Sequence, residues 1–241
     1  AEDTLFDHVK GEPCDSWTDV AAYLGRTDPD RWREVVLLAG GIITSANIAK
    51  DLDRAADLLD ALYPDEPVPN WATADAWGLR LAAEITAENL DLEKLTRKLT
   101  KIKARIQQAL PQLLASDQIP ATERVQAGRY LAKLGDPREA VMDVDAMEFC
   151  LIPTGTFYMG SSDDDDMAFD DEKGGGEYVI DNAYWMAHYP VTVAQYRQYY
   201  VEAFGATPEY SDWASGDANT PVVSVSWDEA KAFCDWLQAR W

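Results

Sequence analysis

Histidine and cysteine are scarce in this chain of 241 residues, which holds two histidines and three cysteines. Cys14, Cys150 and Cys234 form no Cys-x-x-Cys spacing, so neither a disulfide framework nor a zinc site is indicated. Cys150 lies in an apolar strand pattern and Cys234 on an apolar helix face, and we expect both to be small core residues. Thiols of this kind fit a reducing, cytoplasmic setting. With so few candidate bases and nucleophiles, we expect no catalytic residues.

Other signatures are also missing from the sequence. No run of 18 apolar residues occurs, so we expect no membrane span. A Gly-x-x-x-x-Gly-Lys-Ser/Thr motif is absent, which removes the usual nucleotide-binding loop. The start, Ala1 to Thr4, is acidic rather than apolar, and we expect no signal peptide there. Because the first residue is not methionine, we expect a processed piece or the ordered part of a longer protein.

Basic residues are few, and they are unevenly placed. The net charge is −22; residues 1–147 hold 26 acids and 17 bases, whereas residues 148–241 hold 17 acids and four bases. Such a surface repels nucleic acid and anionic membranes, so we expect neither as a partner. It suits a basic protein partner or cations, and high solubility is the alternative explanation.

Residues 1–140 are predicted to form an all-α domain. Capping signals at Ser16 and at Pro29 open two helices, and Gly25 is the expected end of the first. Further helices are predicted after Ser45, over 72–89 and over 121–134. Between the last two, another helix is predicted from an apolar stripe that runs from Leu92 to Leu110. Helix pairs with short links favour an α-solenoid or a bundle, although no repeat of fixed length is visible.

Residues 141–241 change to a mixed pattern, which predicts an α+β domain. Strand-like segments cover 149–160, as a hairpin turning at 153–155, then 178–185 and 222–225. Capping boxes at Thr192 and Ser226 open two helices, and Gly205 ends the first of them. The overall fold class is therefore α+β, with an all-α domain first.

The segment from Ser161 to Asp181, here called the acidic loop, carries nine acids against one base and three consecutive glycines. We expect nothing local to order it, so it is predicted to be exposed and mobile. Such segments are favoured sites for proteases and basic partners. The residues at the centre of this prediction are Asp166, Asp171, Lys173, Gly174 and Gly175.

Calcium is a second hypothesis for the acidic loop, because carboxylate oxygens are its preferred ligands. The candidate ligands are Asp163, Asp164, Asp165, Asp166 and Asp170. Their spacing is not that of an EF-hand, since the glycine and glutamate of that motif are missing. A solvated surface loop is the alternative.

Three spaced motifs carry a family resemblance over about 95 residues. They are Ile152-Pro153-x-Gly155-x-Phe157-x-Met159-Gly160-Ser161, Tyr189-Pro190-Val191-Thr192-x-x-Gln195-Tyr196, and Pro221-Val222-Val223-x-Val225-Ser226-Trp227 continuing to Phe233-Cys234-x-Trp236-Leu237. In this order they resemble the N-terminal half of the formylglycine-generating-enzyme (sulfatase-modifying factor) domain, a C-type-lectin-like fold. The resemblance implies a domain over 141–241 that is incomplete. Met159, Trp185, Trp227, Phe233, Trp236 and Leu237 are expected to pack in its core.

The resemblance does not carry the family's chemistry onto this chain. The catalytic cysteine pair, the copper chemistry and the calcium sites of that family lie mainly in its other half. We therefore expect no cofactor in this chain. Copper or calcium is expected only if the other half of the domain is present and active. The related iron-dependent sulfoxide synthases need a histidine-rich set, and His8 and His188 are too few for one. His188 is expected to be a surface residue at a strand end.

Two helical phrases, Arg31 to Gly40 and Glu123 to Arg138, resemble helical repeats at the C-terminal side of bacterial NACHT-type signalling ATPases. The resemblance implies a cytoplasmic bacterial signalling or antiviral-defence protein. The function predicted is a non-catalytic interaction or recognition module, or a protease target, whose partner is a protein such as a protease or a signalling complex. The alternative is a fragment of a formylglycine-generating-type oxidase, in which case the protein is an enzyme.

Overall fold

The computed structural model describes residues 16–45, 49–65, 72–206 and 211–241. The chain divides into two compact units. The first, here called the helical unit, comprises Ala1–Arg138 together with Ser215–Thr220. The second, here called the mixed unit, comprises Glu139–Ala214 and Pro221–Trp241.

Six helices make up the described part of the helical unit. They are α1 (Trp17–Thr27), α2 (Pro29–Ser45), α3 (Ala49–Leu62), α4 (Thr73–Asn89), α5 (Arg97–Ala115) and α6 (Ala121–Leu134). Local signals start several of them, since the side chains of Ser16 and Thr96 accept bonds from the backbone N–H groups of Asp19 and Leu99. The predicted helices over 72–89 and 121–134 are confirmed to within one residue. Residues 46–48, which include Ile48 of the predicted third helix, lie outside the described residues.

Helix α4 is the centre of the helical unit, because all five other described helices contact it. Residues Ala76 to Ala83 of α4 are buried without interruption, as are Ile85 and Thr86. A helix that is buried on every side is a core helix rather than an amphipathic surface helix. This is a bundle-like arrangement, and the helical-repeat prediction for the unit stays a prediction.

One cation lies inside this core. Arg80 of α4 is 5% exposed, and its guanidinium pairs with Glu84 at 2.7 Å and with Glu123 of α6 at 3.1 Å. Arg33 of α2 pairs with the other Glu123 oxygen at 2.9 Å. The Arg80 guanidinium also lies 4.8 Å from the ring centre of Tyr130. A buried charge needs such partners, so this cluster joins three helices.

Gly25 does not end the first helix, which runs through it to Thr27. That prediction was wrong because Gly25 is needed for helix packing. A Cβ at this position would lie 2.9 Å from Leu81 of α4 and 3.1 Å from Val36 of α2. The glycine therefore lets α1 approach its neighbours closely, a role that local sequence does not distinguish from a cap.

The mixed unit contains short helices and two separate two-stranded sheets. Its described elements are α7 (Glu139–Met142), a 3₁₀ turn (Val144–Ala146), β1 (Phe149–Ile152), β2 (Gly155–Met159), β3 (Gly176–Ile180), β4 (Tyr184–Ala187), α8 (Val193–Phe204), a second 3₁₀ turn (Asp212–Ser215, whose last residue falls in the helical unit) and α9 (Trp227–Arg240). β1 pairs antiparallel with β4, and β2 pairs antiparallel with β3. The predicted α+β character is thus present, with a helical part first.

The strand predictions need three corrections. β1 and β2 do not form a hairpin, because Pro153 and Thr154 cannot supply the positive-φ residues of a two-residue turn. The predicted strand over 178–185 is divided between β3 and β4. The predicted strand over 222–225 does not form: Ser224 has a φ of 59°, outside strand geometry, and only Pro221 pairs there, with Thr192.

Both capping boxes of the mixed unit are confirmed. Thr192 and Gln195 cap α8 reciprocally, as Ser226 and Glu229 cap α9, and Gly205 ends α8 in the left-handed conformation. The first box is buried, and it binds the end of α7 as well. Gln195 Nε2 donates to the Ala140 carbonyl at 2.9 Å, and Thr192 Oγ1 donates to the Val141 carbonyl at 2.6 Å.

The core of the mixed unit is an aromatic cluster on α8, α9 and the second 3₁₀ turn. The ring centre of Tyr196 lies 5.0 Å from Trp213, 5.3 Å from Tyr199 and 5.8 Å from Phe233. Such rings gain from edge-to-face contact in addition to burial. Phe233 is buried as expected, and Trp236 and Leu237 pack partly against the cluster.

Three other residues expected in this core are exposed instead: Met159 by 49%, Trp185 by 65% and Trp227 by 75%. Trp227 precedes Phe233 by six positions, which places it about 120° around the helix from the buried face. Met159 and Trp185 belong to sheets of two strands, and among the described residues no element covers their side chains. The family motif alone did not reveal which faces are covered.

Candidate functional site

The acidic loop is closed at its base by backbone contacts. The Ser161 N–H donates to the Glu172 carbonyl at 2.8 Å, and Ser161 and Lys173 form a bridge. β2 and β3 continue the closure, since Met159 is paired with Gly176 and Gly155 with Ile180. A surface loop whose ends meet in this way is an Ω-loop.

The glycines of the loop have a different role from the one predicted. A Cβ on Gly160 would lie 2.7 Å from Gly175 Cα, and a Cβ on Gly175 would lie 2.7 Å from the Met159 carbonyl oxygen. Gly160 and Gly174 also have φ values of 104° and 75°, which side chains disfavour. Gly160 and Gly175 let two backbone segments meet at the base of the loop.

Local hydrogen bonds order parts of the loop, so the expectation that nothing local orders it was wrong. The Asp165 carboxylate accepts from the Met167 N–H at 2.9 Å, and the Glu172 carboxylate accepts from the Phe169 N–H at 3.0 Å. Backbone turns join Ser162 to Asp165 and Phe169 to Glu172. Aspartate readily makes such turns with its own neighbours.

Exposure of the acids agrees with the prediction, but that of Lys173 and Gly175 does not. Asp163 to Asp166, Asp170 and Asp171 are exposed, Gly174 is exposed, and Lys173 and Gly175 are half-buried. Two apolar side chains stand among the acids, Met167 at 89% exposed and Phe169 at 73%. Sequence reasoning missed these two residues because the acids around them dominated the pattern. The loop therefore presents apolar groups within a negative field.

The aspartates of the loop do not converge on one point. Among the residues that the structure describes, no group of three or more His, Cys, Asp or Glu is placed to hold a metal ion. Asp165 instead uses a carboxylate oxygen to accept from its own loop backbone. The structure thus does not bring the candidate calcium ligands Asp163, Asp164, Asp165, Asp166 and Asp170 together.

Cys150 and Cys234 are both exposed rather than buried. On β1, Phe149 packs towards the aromatic core, so Cys150 beside it points to the opposite face. On α9, Phe233 faces the core, and Cys234 lies about 100° further around the helix. Apolar neighbours on both sides concealed these faces in the sequence.

An arrangement that the sequence did not predict links Cys150 to His188. The Cys150 Sγ lies 3.4 Å from His188 Nδ1. The His188 N–H donates to the Glu148 carbonyl at 2.8 Å, which extends the pairing of β1 with β4. His188 is exposed, as expected, but it is adjacent to a thiol 38 positions away.

No helix in the described ranges is long and apolar enough to cross a membrane. The mixed unit, with helices packed beside two small antiparallel sheets, defines an α+β domain. The comparison with family models then gives a more specific result: residues 135–241 match the model of the sulfatase-modifying factor enzyme 1-like domain. No curated protein and no solved structure matches the chain.

The family match supports the resemblance carried by the three motifs. It begins at Gly135, before the mixed unit, and includes the segment Ser215–Thr220 that belongs to the helical unit. The matched residues therefore fall in both units of the structure.

Proposed function

We propose that this chain is a non-catalytic protein-interaction or recognition module, or the target of a partner protease, and that the acidic loop is its point of contact. The observation that carries the proposal is the loop's construction. Its base is closed by backbone contacts, whereas its acids and the side chains of Met167 and Phe169 face solvent. Two apolar side chains among the carboxylates give the loop both a charged and an apolar contact surface.

The chemistry of the loop favours a partner that is basic and has an apolar recess. Exposed carboxylates would steer a positively charged surface towards the loop, and this effect weakens with salt. Phe169 and Met167 would then supply the buried contacts that hold a complex together. The four bases among residues 148–241 make a nucleic-acid or anionic-lipid partner unfavourable.

A matched pair of charge variants tests the electrostatic part. Asp163, Asp164 and Asp166 are changed to Asn, leaving Asp165 to support the turn. The control neutralises three exposed acids of the helical unit, as Asp53→Asn, Glu93→Gln and Asp117→Asn, so that the total charge changes equally. Binding of a labelled lysine- and arginine-rich peptide is measured by fluorescence anisotropy at several salt concentrations.

We expect the loop variant to bind the peptide at least about fivefold more weakly than the control variant, and with a smaller salt dependence. Equal weakening in both variants would mean that the peptide senses net charge alone, and the loop would lose its proposed role.

A second pair of variants tests the apolar part. Phe169→Ala removes the exposed ring of the loop, and Leu38→Ala removes a side chain that is similarly exposed, 66%, on α2. Against a basic peptide library that contains apolar residues, Phe169→Ala is expected to reduce enrichment and Leu38→Ala is not. An unchanged profile with Phe169→Ala would limit the loop to a purely electrostatic role.

The wider setting that we propose is a bacterial signalling or antiviral-defence protein. This rests on the resemblance of Arg31 to Gly40 and Glu123 to Arg138 to helical repeats of NACHT-type proteins. The partner would then be a protease or a component of a signalling complex. Detection of this chain in a genomic neighbourhood or complex without such components would remove the support for that setting.

The family match favours one alternative, a fragment of a formylglycine-generating-type oxidase that uses copper or calcium. We expect the chain to convert no cysteine of a sulfatase-type peptide to formylglycine, with or without copper. Mass spectrometry of the peptide decides the matter. Formylglycine that disappears in a Cys150→Ser or Cys234→Ser variant would establish the oxidase instead.

A further inference from the structure

Cys150 and His188 lie on one face of the sheet formed by β1 and β4. Cys150 is paired with Met186, two positions before His188, so the two residues occupy a diagonal position across the antiparallel pair. Side chains at such positions are within reach of one another. The backbone bond from the His188 N–H to the Glu148 carbonyl fixes this register.

The contact between the two side chains has the geometry of a nucleophile beside a base. Sγ lies 3.4 Å from Nδ1, which is hydrogen-bonding distance for sulfur. Nδ1 accepts the thiol proton when the ring carries its own proton on Nε2. The Tyr189 ring packs edge-to-face with the imidazole, with ring centres 4.5 Å apart and an interplanar angle of 87°, so a third group orients the base.

Cys234 provides an internal comparison. It is exposed on α9 as Cys150 is on β1, but its thiol has no hydrogen-bonding partner among the residues that the structure describes. The two thiols thus differ in whether a base stands beside them, and not in whether solvent reaches them.

We propose that Cys150 is a covalent modification site that adds to uncharged α,β-unsaturated carbonyl compounds, with His188 taking the thiol proton. Sγ forms a bond to the β-carbon as the carbon–carbon π pair moves towards the α-carbon. The proton passes from Sγ to Nδ1 and is returned, through water, to the α-carbon. The sum is addition of S–H across the double bond, so no oxidant, reductant or leaving group is involved.

The side chains around Cys150 favour electrophiles that carry no charge. Met186 lies directly opposite Cys150 and is 50% exposed, so it offers an apolar surface beside the sulfur. Glu148 is exposed and lies at the strand position that faces His188. Together with the acidic character of residues 148–241, this carboxylate disfavours anionic electrophiles.

The test uses the full chain in a Cys14→Ser background, so that only Cys150 and Cys234 can be labelled. The protein is exposed briefly to limiting N-ethylmaleimide, and labelling of Cys150 and Cys234 is quantified by peptide mass spectrometry. We expect Cys150 to react about tenfold faster than Cys234, since a positioned base assists proton removal. In denaturing urea the two rates are expected to converge.

Two variants show whether His188 is responsible. His188→Gln and His188→Asn both remove the base and keep the backbone bond to Glu148, with circular dichroism as the check on folding. Each variant is expected to lower the labelling rate of Cys150 to that of Cys234 and to leave the labelling rate of Cys234 unchanged. Equal labelling of the two native thiols, or a Cys150 rate unaffected by both variants, would overturn the proposal.

The preference for uncharged electrophiles is tested with iodoacetamide and iodoacetate, which react at the same carbon and differ in charge. Cys150 is expected to prefer iodoacetamide, and Glu148→Gln is expected to reduce that preference about twofold. A preference for iodoacetate, or one that Glu148→Gln leaves unchanged, would overturn the assignment to uncharged compounds.

Discussion

Asn219 donates its side-chain amide to the Asp136 carboxylate at 2.9 Å, although 83 positions separate the two residues. The same amide group donates to the Gly128 carbonyl at 3.1 Å. The Asp136 side chain is fully inaccessible, and Arg138 bonds both of its oxygens. This arrangement explains why the segment Ser215–Thr220 belongs to the helical unit.

Replacing Asn219 should therefore destabilise the helical unit. Asn219→Ala leaves a buried carboxylate and a helix carbonyl each short of one donor, and we expect a loss of about 1–2 kcal/mol in the free energy of unfolding. Urea titration followed by circular dichroism measures it. Asn182→Ala, at an exposed position between β3 and β4, is the control. Identical midpoints for the two variants would show that the bonds of Asn219 add nothing to stability.

Asp136 should also give the helical unit a dependence on acid pH. Burial tends to raise the pKa of Asp136, but the hydrogen bonds from Arg138 and Asn219 outweigh it and hold the pKa below its ordinary value. The folded pKa is thus lower than the unfolded one, about 3.9. The stabilisation is present above that value and is lost as pH falls through the folded pKa. Thermal melts below about pH 4 should show the loss, and Asp136→Asn should make it shallower.

Two helix-interior glycines should respond oppositely to alanine. A Cβ on Gly78 would lie 2.2 Å from the Leu62 carbonyl oxygen, a backbone atom that cannot move aside. Gly78→Ala should cost about 3 kcal/mol or more. The nearest atom to a Cβ on Gly128 lies 3.8 Å away, so Gly128→Ala should stabilise by up to about 1 kcal/mol through helix propensity. Chemical denaturation compares them, and a tolerated Gly78→Ala would contradict the packing of α4 against the end of α3.

Tyr130 should make the protein less stable at alkaline pH. Burial raises the pKa of Tyr130 to about 12, although the Arg80 guanidinium acts in the opposite direction. Because the unfolded pKa is about 10, the stabilisation is complete below pH 10 and declines as pH rises towards 12. Tyr130→Phe should reduce this decline, whereas Tyr158→Phe, at a residue that is 59% exposed, should not. Burial likewise raises the pKa of Tyr196 to about 12, so Tyr196 should account for part of the alkaline loss of stability that remains in Tyr130→Phe.

Limited proteolysis should cut the acidic loop before the helices of the helical unit. The loop is exposed from Asp163 to Met167, and exposed loop backbone is the preferred substrate of proteases. A protease that cleaves at acidic residues, with fragments mapped by mass spectrometry, gives the order of cutting. First cuts within α4 or α5, with the loop intact, would show that the loop's turns protect it.

The features that the sequence predicted well depend on neighbouring residues. The capping boxes at Thr192 and Ser226 and the stop at Gly205 are interactions over three or four positions, so their residue types indicate them directly. The helix over 121–134 has its own stop at Gly135. The family motifs are likewise fixed spacings of residue types, and the match over residues 135–241 supports the resemblance that they carry.

The features that it missed depend on pairing between distant segments. Phe149 to Ile152 are all apolar, so the period of two that would reveal the outward face is absent, and Cys150 was misplaced. The contact of Cys150 with His188 follows only from the register of β1 with β4. Gly25 and Gly160 resemble ordinary caps or turns, and their close approaches are visible only once the helices and loop ends are packed.

The contact between Gly160 and Gly175 makes the pairing of β2 with β3 independent of which residues the loop contains. Because the backbone is already joined below them, residues 162–171 could be exchanged for another peptide without changing the strand register. Loop-closure entropy rises slowly with length, by only about 0.6 kcal/mol for each doubling. The protein thus has a ready-made position for displaying a foreign epitope or a fluorescent tag.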